Sequence, residues 1–213
     1  MVLPDDEGVW MEKRTPSLPW PVQKDADGLW QGPGCFLGAV LFARRAGQVL
    51  LVRKASQPGY AFGGMWTLPG GRIRGGSDLV DAIDTTIRGR VAAEAGVTIV
   101  GGLLPLPGSP PVSRYVLHGE QRTTLVLPLT GRIEGVPAPS DTSITEAVFA
   151  DPTGMWRKIA PANRVILGAA LWDELDGIRR ASARSALQEA WEECAMWASM
   201  RRVPPPPEPW SRS

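Results

Sequence analysis

Residues 66–73 read Trp66-Thr67-Leu68-Pro69-Gly70-Gly71-Arg72-Ile73, and further on a helical stretch closes on Glu94-Ala95-Gly96-Val97. Between them, Leu79, Ala82, Ile83, Ile87, Val91 and Ala95 recur at three- and four-residue spacing, which places them on one face of a helix over roughly Leu79–Ala95. Ser77 or Asp78 supplies a side-chain oxygen for the first free backbone N–H groups, and Gly96 is suited to the left-handed C′ position. Upstream, residues 36–44 and 48–55 are rich in Val, Leu and Phe and are joined through Arg45, Ala46 and Gly47, which predicts a hairpin. Downstream, residues 97–106, 114–119, 122–133 and 144–152 read as strands. Pro161 then opens a helix reaching about Leu175, at the position where its missing N–H costs nothing. A last helix over 178–201 carries an apolar stripe at Leu187, Ala190, Trp191, Cys194, Trp197 and Ala198. Each amphipathic helix must bury its stripe, so the economical packing is an α/β/α sandwich around a mixed β-sheet.

The lead-in Leu68-Pro69-Gly70-Gly71, the helix, and its Glu94-Ala95-Gly96-Val97 exit together resemble the Nudix hydrolase superfamily, MutT-like proteins with the box G-x5-E-x7-R-E-U-x-E-E-x-G-U, where U is aliphatic. Two strands before the box, one after it, and Glu146, Trp156 and the Pro161 helix extend the resemblance over roughly residues 36–175. It implies a Nudix-type α/β/α fold and hydrolysis of a nucleoside diphosphate linked to another moiety, with Mg²⁺ or Mn²⁺ as cofactor. The chemistry of the box follows from charge. A diphosphate bridge is polyanionic, so attack by water needs a hard divalent cation to neutralise it and position the nucleophile. Such ions take carboxylate oxygens, which R-E-U-x-E-E sets at i, i+3 and i+4 on one helix face.

This chain departs from that pattern where the chemistry resides. Counting from Gly71, the loop glutamate falls on Ser77; counting back from Gly96, the helix motif falls on Gly89-Arg90-Val91-Ala92-Ala93-Glu94. Glu94 alone keeps its carboxylate, and Arg90 places a cation where a cation should bind. The span from Gly71 to Gly96 is four residues longer than the pattern, about one helical turn. Asp81 and Asp84 are too far along the helix to join Glu94 and read as solvated charges near a helix N-terminus. The last helix repeats the E-x-x-E-E spacing at Glu189, Glu192 and Glu193, a speculative relocated metal set; a polar face on any amphipathic helix gives the same spacing.

Other candidates carry less. His118, the only histidine, reads as a surface residue at a hairpin turn, with no nucleophile signature beside it. Arg44, Arg45, Arg53 and Lys54 read as the wet face of a sheet, although they could face phosphates. Cys35 and Cys194 show neither a disulfide framework nor metal spacing.

Composition narrows the classes. Across 213 residues, 43% are hydrophobic and 21% charged, the balance of a globular protein. A net charge of +1, from 23 basic and 22 acidic residues, makes no case for nucleic acid, which needs a basic excess. No apolar run reaches the roughly 18 residues of a membrane helix, and the N-terminus lacks the apolar region of a signal peptide, so a cytoplasmic setting is expected. The expected organisation is an N-terminal Trp/Pro-rich extension over 1–34, a Nudix-like domain over 35–176, a C-terminal helix over 177–203 and a Pro-rich tail over 204–213.

Three functions follow. The first is a protein that binds a small nucleotide-type ligand with hydrolysis weak or lost, through Trp66, Gly70, Gly71, Arg72 and Arg90; guanidinium groups hold phosphate and a tryptophan stacks a base. The second is an active hydrolase with Glu94 as its catalytic and metal-binding carboxylate and acids from elsewhere, Glu146 or Glu189, Glu192 and Glu193. The third is a scaffold whose Trp-rich arm or Pro-rich tail meets a protein partner or a second copy of the chain.

Overall fold

The computed structural model describes residues 21–58, 60, 62–106, 112–117 and 120–177, together with Leu18, Arg180, Ser185 and Gln188. Its strands are β1 (Gln23–Lys24), β2 (Trp30–Gly32), β3 (Cys35–Phe42), β4 (Arg44–Arg45), β5 (Gln48–Lys54), β6 (Trp66–Thr67), β7 (Gly70–Arg72), β8 (Thr98–Pro105), β9 (Val112–Leu117), β10 (Glu120–Glu134) and β11 (Ile144–Ala150). The helices are α1 (Leu79–Ala95), α2 (Pro152–Met155) and α3 (Pro161–Ala170), with 3₁₀ turns at Trp156–Lys158 and Trp172–Glu174. Two sheets result. In the first, β1, β2, β3, β10 and β8 lie side by side, β7 also pairs with β3, and β9 also pairs with β10. The β3–β10 pair is parallel and the other pairings are antiparallel, so this sheet is mixed. The second sheet is antiparallel, ordered β11, β5, β4, with β6 also on β5.

Side-chain alternation along β3 and β5 makes the layers, because successive residues of a strand point to opposite faces. Cys35, Leu37, Ala39, Leu41, Leu50 and Val52 enter one core with Leu79, Ala82, Ile83, Ile87, Val91 and Ala95 of α1. Phe42, Val49 and Leu51 enter a second core with Trp66, Trp156, Ile166 and Leu167, which brings in α3. Helices therefore cover both faces of the strands, and the expected mixed-sheet α/β/α sandwich is present. Among the described residues, no helix is long and apolar enough to cross a membrane.

Helix α1 has the expected bounds, with Asp78 accepting from the Asp81 N–H as its N-cap. Gly96 closes it at φ 68° and ψ 19°, donating to the Ala92 carbonyl. The hairpin differs from expectation. The chain leaves the first sheet at Ala43 and only β4 turns back onto β5, through Ala46 at φ 50° and Gly47 at φ 81°. A two-residue turn with both φ angles positive matches strand twist, and the short β4 is what it connects. The sheet also begins earlier than residue 35, since β1 pairs with β2 and β2 with β3, and the Trp30 indole N–H donates to the Gly75 carbonyl at 2.9 Å. The expected last helix and Pro-rich tail, with Glu189, Glu192 and Glu193, lie outside the described residues apart from Gly177, Arg180, Ser185 and Gln188, as do His118 and Cys194.

Candidate functional site

The segment Trp66–Arg72 runs between the two helical layers and is tied to both. The Leu68 N–H donates to Asn163 Oδ1 of α3 at 2.8 Å, and the Gly70 N–H donates to Glu94 Oε2 of α1 at 3.0 Å. Gly70 sits at φ 156°, and a Cβ there would lie 2.2 Å from the Ala39 carbonyl oxygen, so only glycine lets this strand pack on β3. At Gly71 a Cβ would reach Arg90 Nε at 3.0 Å, so the Arg90 side chain lies against the bare backbone of the lead-in.

Glu94 is the centre of the site. Its side chain is 0% exposed, and its Oε1 accepts from Lys54 Nζ at 2.7 Å and from the Arg90 guanidinium at 2.5 Å. Both carboxylate oxygens are thereby engaged, one by two cations and the other by a backbone N–H. Lys54 is 11% exposed and Arg90 40%. The second Arg90 nitrogen reaches Asp141 Oδ2 at 3.2 Å, extending the cluster to two cations and two carboxylates. Asp141 is placed by the loop that finishes α1: Ser140 and Asp141 donate their N–H groups to the Ala93 carbonyl, and Ala138 donates to that of Ala95. These are carbonyls the helix end leaves unpaired. A backbone N–H from Ser143 holds the Asp141 carboxyl below its ordinary range, and the charges of Arg90 and Lys54 act in the same direction.

Lys54 is the residue that sequence reading placed wrongly, among wet-face charges. Strand parity held the signal: Lys54 shares the α1-facing side of β5 with Leu50 and Val52. What was missing from the sequence was that α1 ends a carboxylate directly opposite it.

An aromatic row adjoins the cluster. Tyr60 meets Phe62 edge-on at 5.9 Å between ring centres, and Phe62 meets Tyr115 at 5.4 Å. Burial, then the neighbouring Tyr115 and the Glu94 carboxylate, push the Tyr60 hydroxyl up to about 12, against the opposing pull of Arg90 and Arg72. Tyr60 thus lies in the field of Glu94 and Arg90. Arg72 lies 5.2 Å from the Phe36 ring centre and Arg122 5.7 Å from the same ring. A cavity of about 420 Å³ opens beside Phe36, lined by Gln31, Gly34, Cys35, Glu120, Arg122 and Thr123 as well.

The remaining candidates are placed as follows. Trp66 is 8% exposed and packed in the second core with Leu68, Trp156 and Ile166. Glu146 pairs with Arg53 at 2.8 Å on the surface. Asp84 pairs with Arg88 at 2.7 Å, and Asp81 accepts from the Ser77 N–H. The structure therefore gathers Gly70, Gly71, Arg90 and Glu94, packs Trp66 in the second core and pairs Glu146 with Arg53.

The donor set does not fit a divalent ion. Mg²⁺ and Mn²⁺ need several carboxylate or water oxygens free to turn toward them, whereas the Glu94 oxygens face an ammonium, a guanidinium and an amide N–H. Among the described residues, no three His, Cys, Asp or Glu side chains stand close enough to hold a metal.

No protein-family model matches the chain, and no curated protein does. Solved structures do. The NUDIX domain of Shewanella oneidensis NrtR complexed with ADP ribose is 20% identical at a TM-score of 0.49, over 68% of this chain and 91% of that one. A MutT NUDIX hydrolase from Burkholderia pseudomallei is 19% identical at 0.41, over 62% and 95%. A Nudix hydrolase family member from Chromobacterium violaceum is 15% identical at 0.43, over 81% and 99%. In its fold, the chain is similar to these Nudix proteins.

Proposed function

We propose that the chain binds a nucleotide or nucleoside-diphosphate derivative beside the Glu94 cluster, with metal-dependent hydrolysis weak or lost. The observation that carries this is the engagement of both Glu94 oxygens by Lys54, Arg90 and the Gly70 N–H. Three donors occupy most of the carboxylate's lone-pair sites, and two of them are cations whose charge a metal would have to displace. The same cluster favours an anionic ligand, since Arg90 remains 40% exposed and Arg72 stands nearby. The Tyr60, Phe62 and Tyr115 row offers an apolar surface next to those charges, as a base with a phosphate chain requires.

ADP ribose heads the probe panel, followed by nucleoside di- and triphosphates, each with EDTA and with Mg²⁺, reading melting temperature and product release together. The expected result is a rise in Tm with at least one probe, retained in EDTA and without product, because a ligand bound only to the folded state stabilises it. Mg²⁺-dependent turnover that disappears in Glu94→Gln would overturn the loss of hydrolysis. If no probe raises Tm, the scaffold reading through the Trp-rich arm or Pro-rich tail takes its place.

A further inference from the structure

We infer that Lys54 and Arg90 are resident cations standing where a divalent ion would neutralise Glu94, and that Lys54, which lies outside the box, is the residue that shuts the site to Mg²⁺ and Mn²⁺. This deepens the proposed function and rests on its placement of the site at Glu94. The two cations are not equivalent. Arg90, at 40% exposure, has solvent into which its side chain can swing, and it shares its charge with Asp141. Lys54 has neither freedom. It is 11% exposed, and its backbone is tied to the adjoining segment, its N–H donating to the Met65 carbonyl at 3.0 Å and its carbonyl accepting from Gly64 at 2.9 Å.

A cation entering this site meets an ammonium ion already paired with the carboxylate it would have to share. Like-charge repulsion at such range is large wherever water is excluded, and Glu94 is fully buried. Restoring a box glutamate by Arg90→Glu alone therefore leaves Lys54 between two carboxylates, paired more strongly than before. Removing the Lys54 charge as well leaves Glu94, a new carboxylate one helical turn before it, and Asp141, the residue that Arg90 now reaches. Three carboxylates with no internal cation form a hard-oxygen set of the kind these ions take.

The test uses Mn²⁺ alone, followed by the loss of its free-ion electron paramagnetic resonance signal and by melting temperature in Mn²⁺ against EDTA. Wild type and Arg90→Glu should take up no Mn²⁺ and melt at the same temperature in both buffers. The double variant Lys54→Gln, Arg90→Glu should take up Mn²⁺, at concentrations about tenfold or more below any at which Arg90→Glu begins to do so. If circular dichroism shows that variant unfolded, Lys54→Gln with Arg90→Gln replaces it, and its uptake should still exceed that of wild type. Mn²⁺ binding by wild type, equal binding by Arg90→Glu and the double variant, or no uptake by a folded double variant would each overturn the assignment. No nucleotide enters this test, so a probe panel without binders fails the proposed function alone. Nucleotide binding by a wild type that also takes up Mn²⁺ fails the resident-cation assignment alone.

Discussion

Tyr60 shows how one side chain reports on the site. Its hydroxyl is raised from 10.0 to about 12 by burial, by Tyr115 and by Glu94. A raised folded-state value stabilises the protein fully below the unfolded value, and that stability is lost as pH climbs through the window from about 10 to 12. Across that window the unfolded chain releases the Tyr60 proton while the folded chain retains it, a difference of no more than about 3 kcal/mol. Urea unfolding of wild type at stepwise pH should show the decline, and Tyr60→Phe should show a shallower one. Equal slopes would mean that Tyr60 is solvated. Glu94 and Gly96 were legible at this scale because their spacing from each other is local. Lys54 was not, because its partner lies forty residues away on another element.

Among the elements, α1 was the most legible. Its apolar stripe, its Asp78 cap and its Gly96 exit are all written within one continuous segment. Its two glycines nevertheless differ in what they do. A Cβ on Gly89 would meet nothing within 4 Å, so Gly89→Ala should stabilise the protein by up to about 1 kcal/mol through helix propensity. Gly96 holds φ 68°, and a Cβ there would sit 2.1 Å from the Ala138 carbonyl oxygen. Gly96→Ala should therefore cost more than about 2 kcal/mol, from the left-handed backbone and the clash together. Denaturant midpoints of the two variants should move in opposite directions. The hairpin was less legible, since strong β-forming residues on both sides of Arg45–Gly47 do not reveal that the strands belong to different sheets.

In the whole molecule, β3 and β5 each contribute alternate side chains to both cores, which couples the two helical layers. Ile87 of the first core and Leu167 of the second are both 0% exposed. Ile87→Ala and Leu167→Ala should each cost about 2–5 kcal/mol, the range for emptying a fully buried aliphatic site. Because the strands are shared, each variant should still unfold in one transition, with fluorescence and circular dichroism curves superimposing. Separate transitions would show that the cores are independent.

Local periodicity and capping chemistry were enough to place α1, the lead-in glycines, the start of α3 at Pro161 and the mixed-sheet sandwich, because each depends on neighbours a few residues apart. The resemblance also implied that Glu94 stands without companion carboxylates, with Arg90 at the position of one of them. Only the tertiary structure decided what surrounds Glu94. It brought Lys54 from β5, Arg90 from the preceding turn of α1 and the Gly70 N–H from the lead-in onto one buried carboxylate. It also placed Trp66 in a core rather than at the site. The physical reason is the same in both cases: burial and charge pairing are settled by which elements meet across the sandwich, and that meeting has no local signature in the chain.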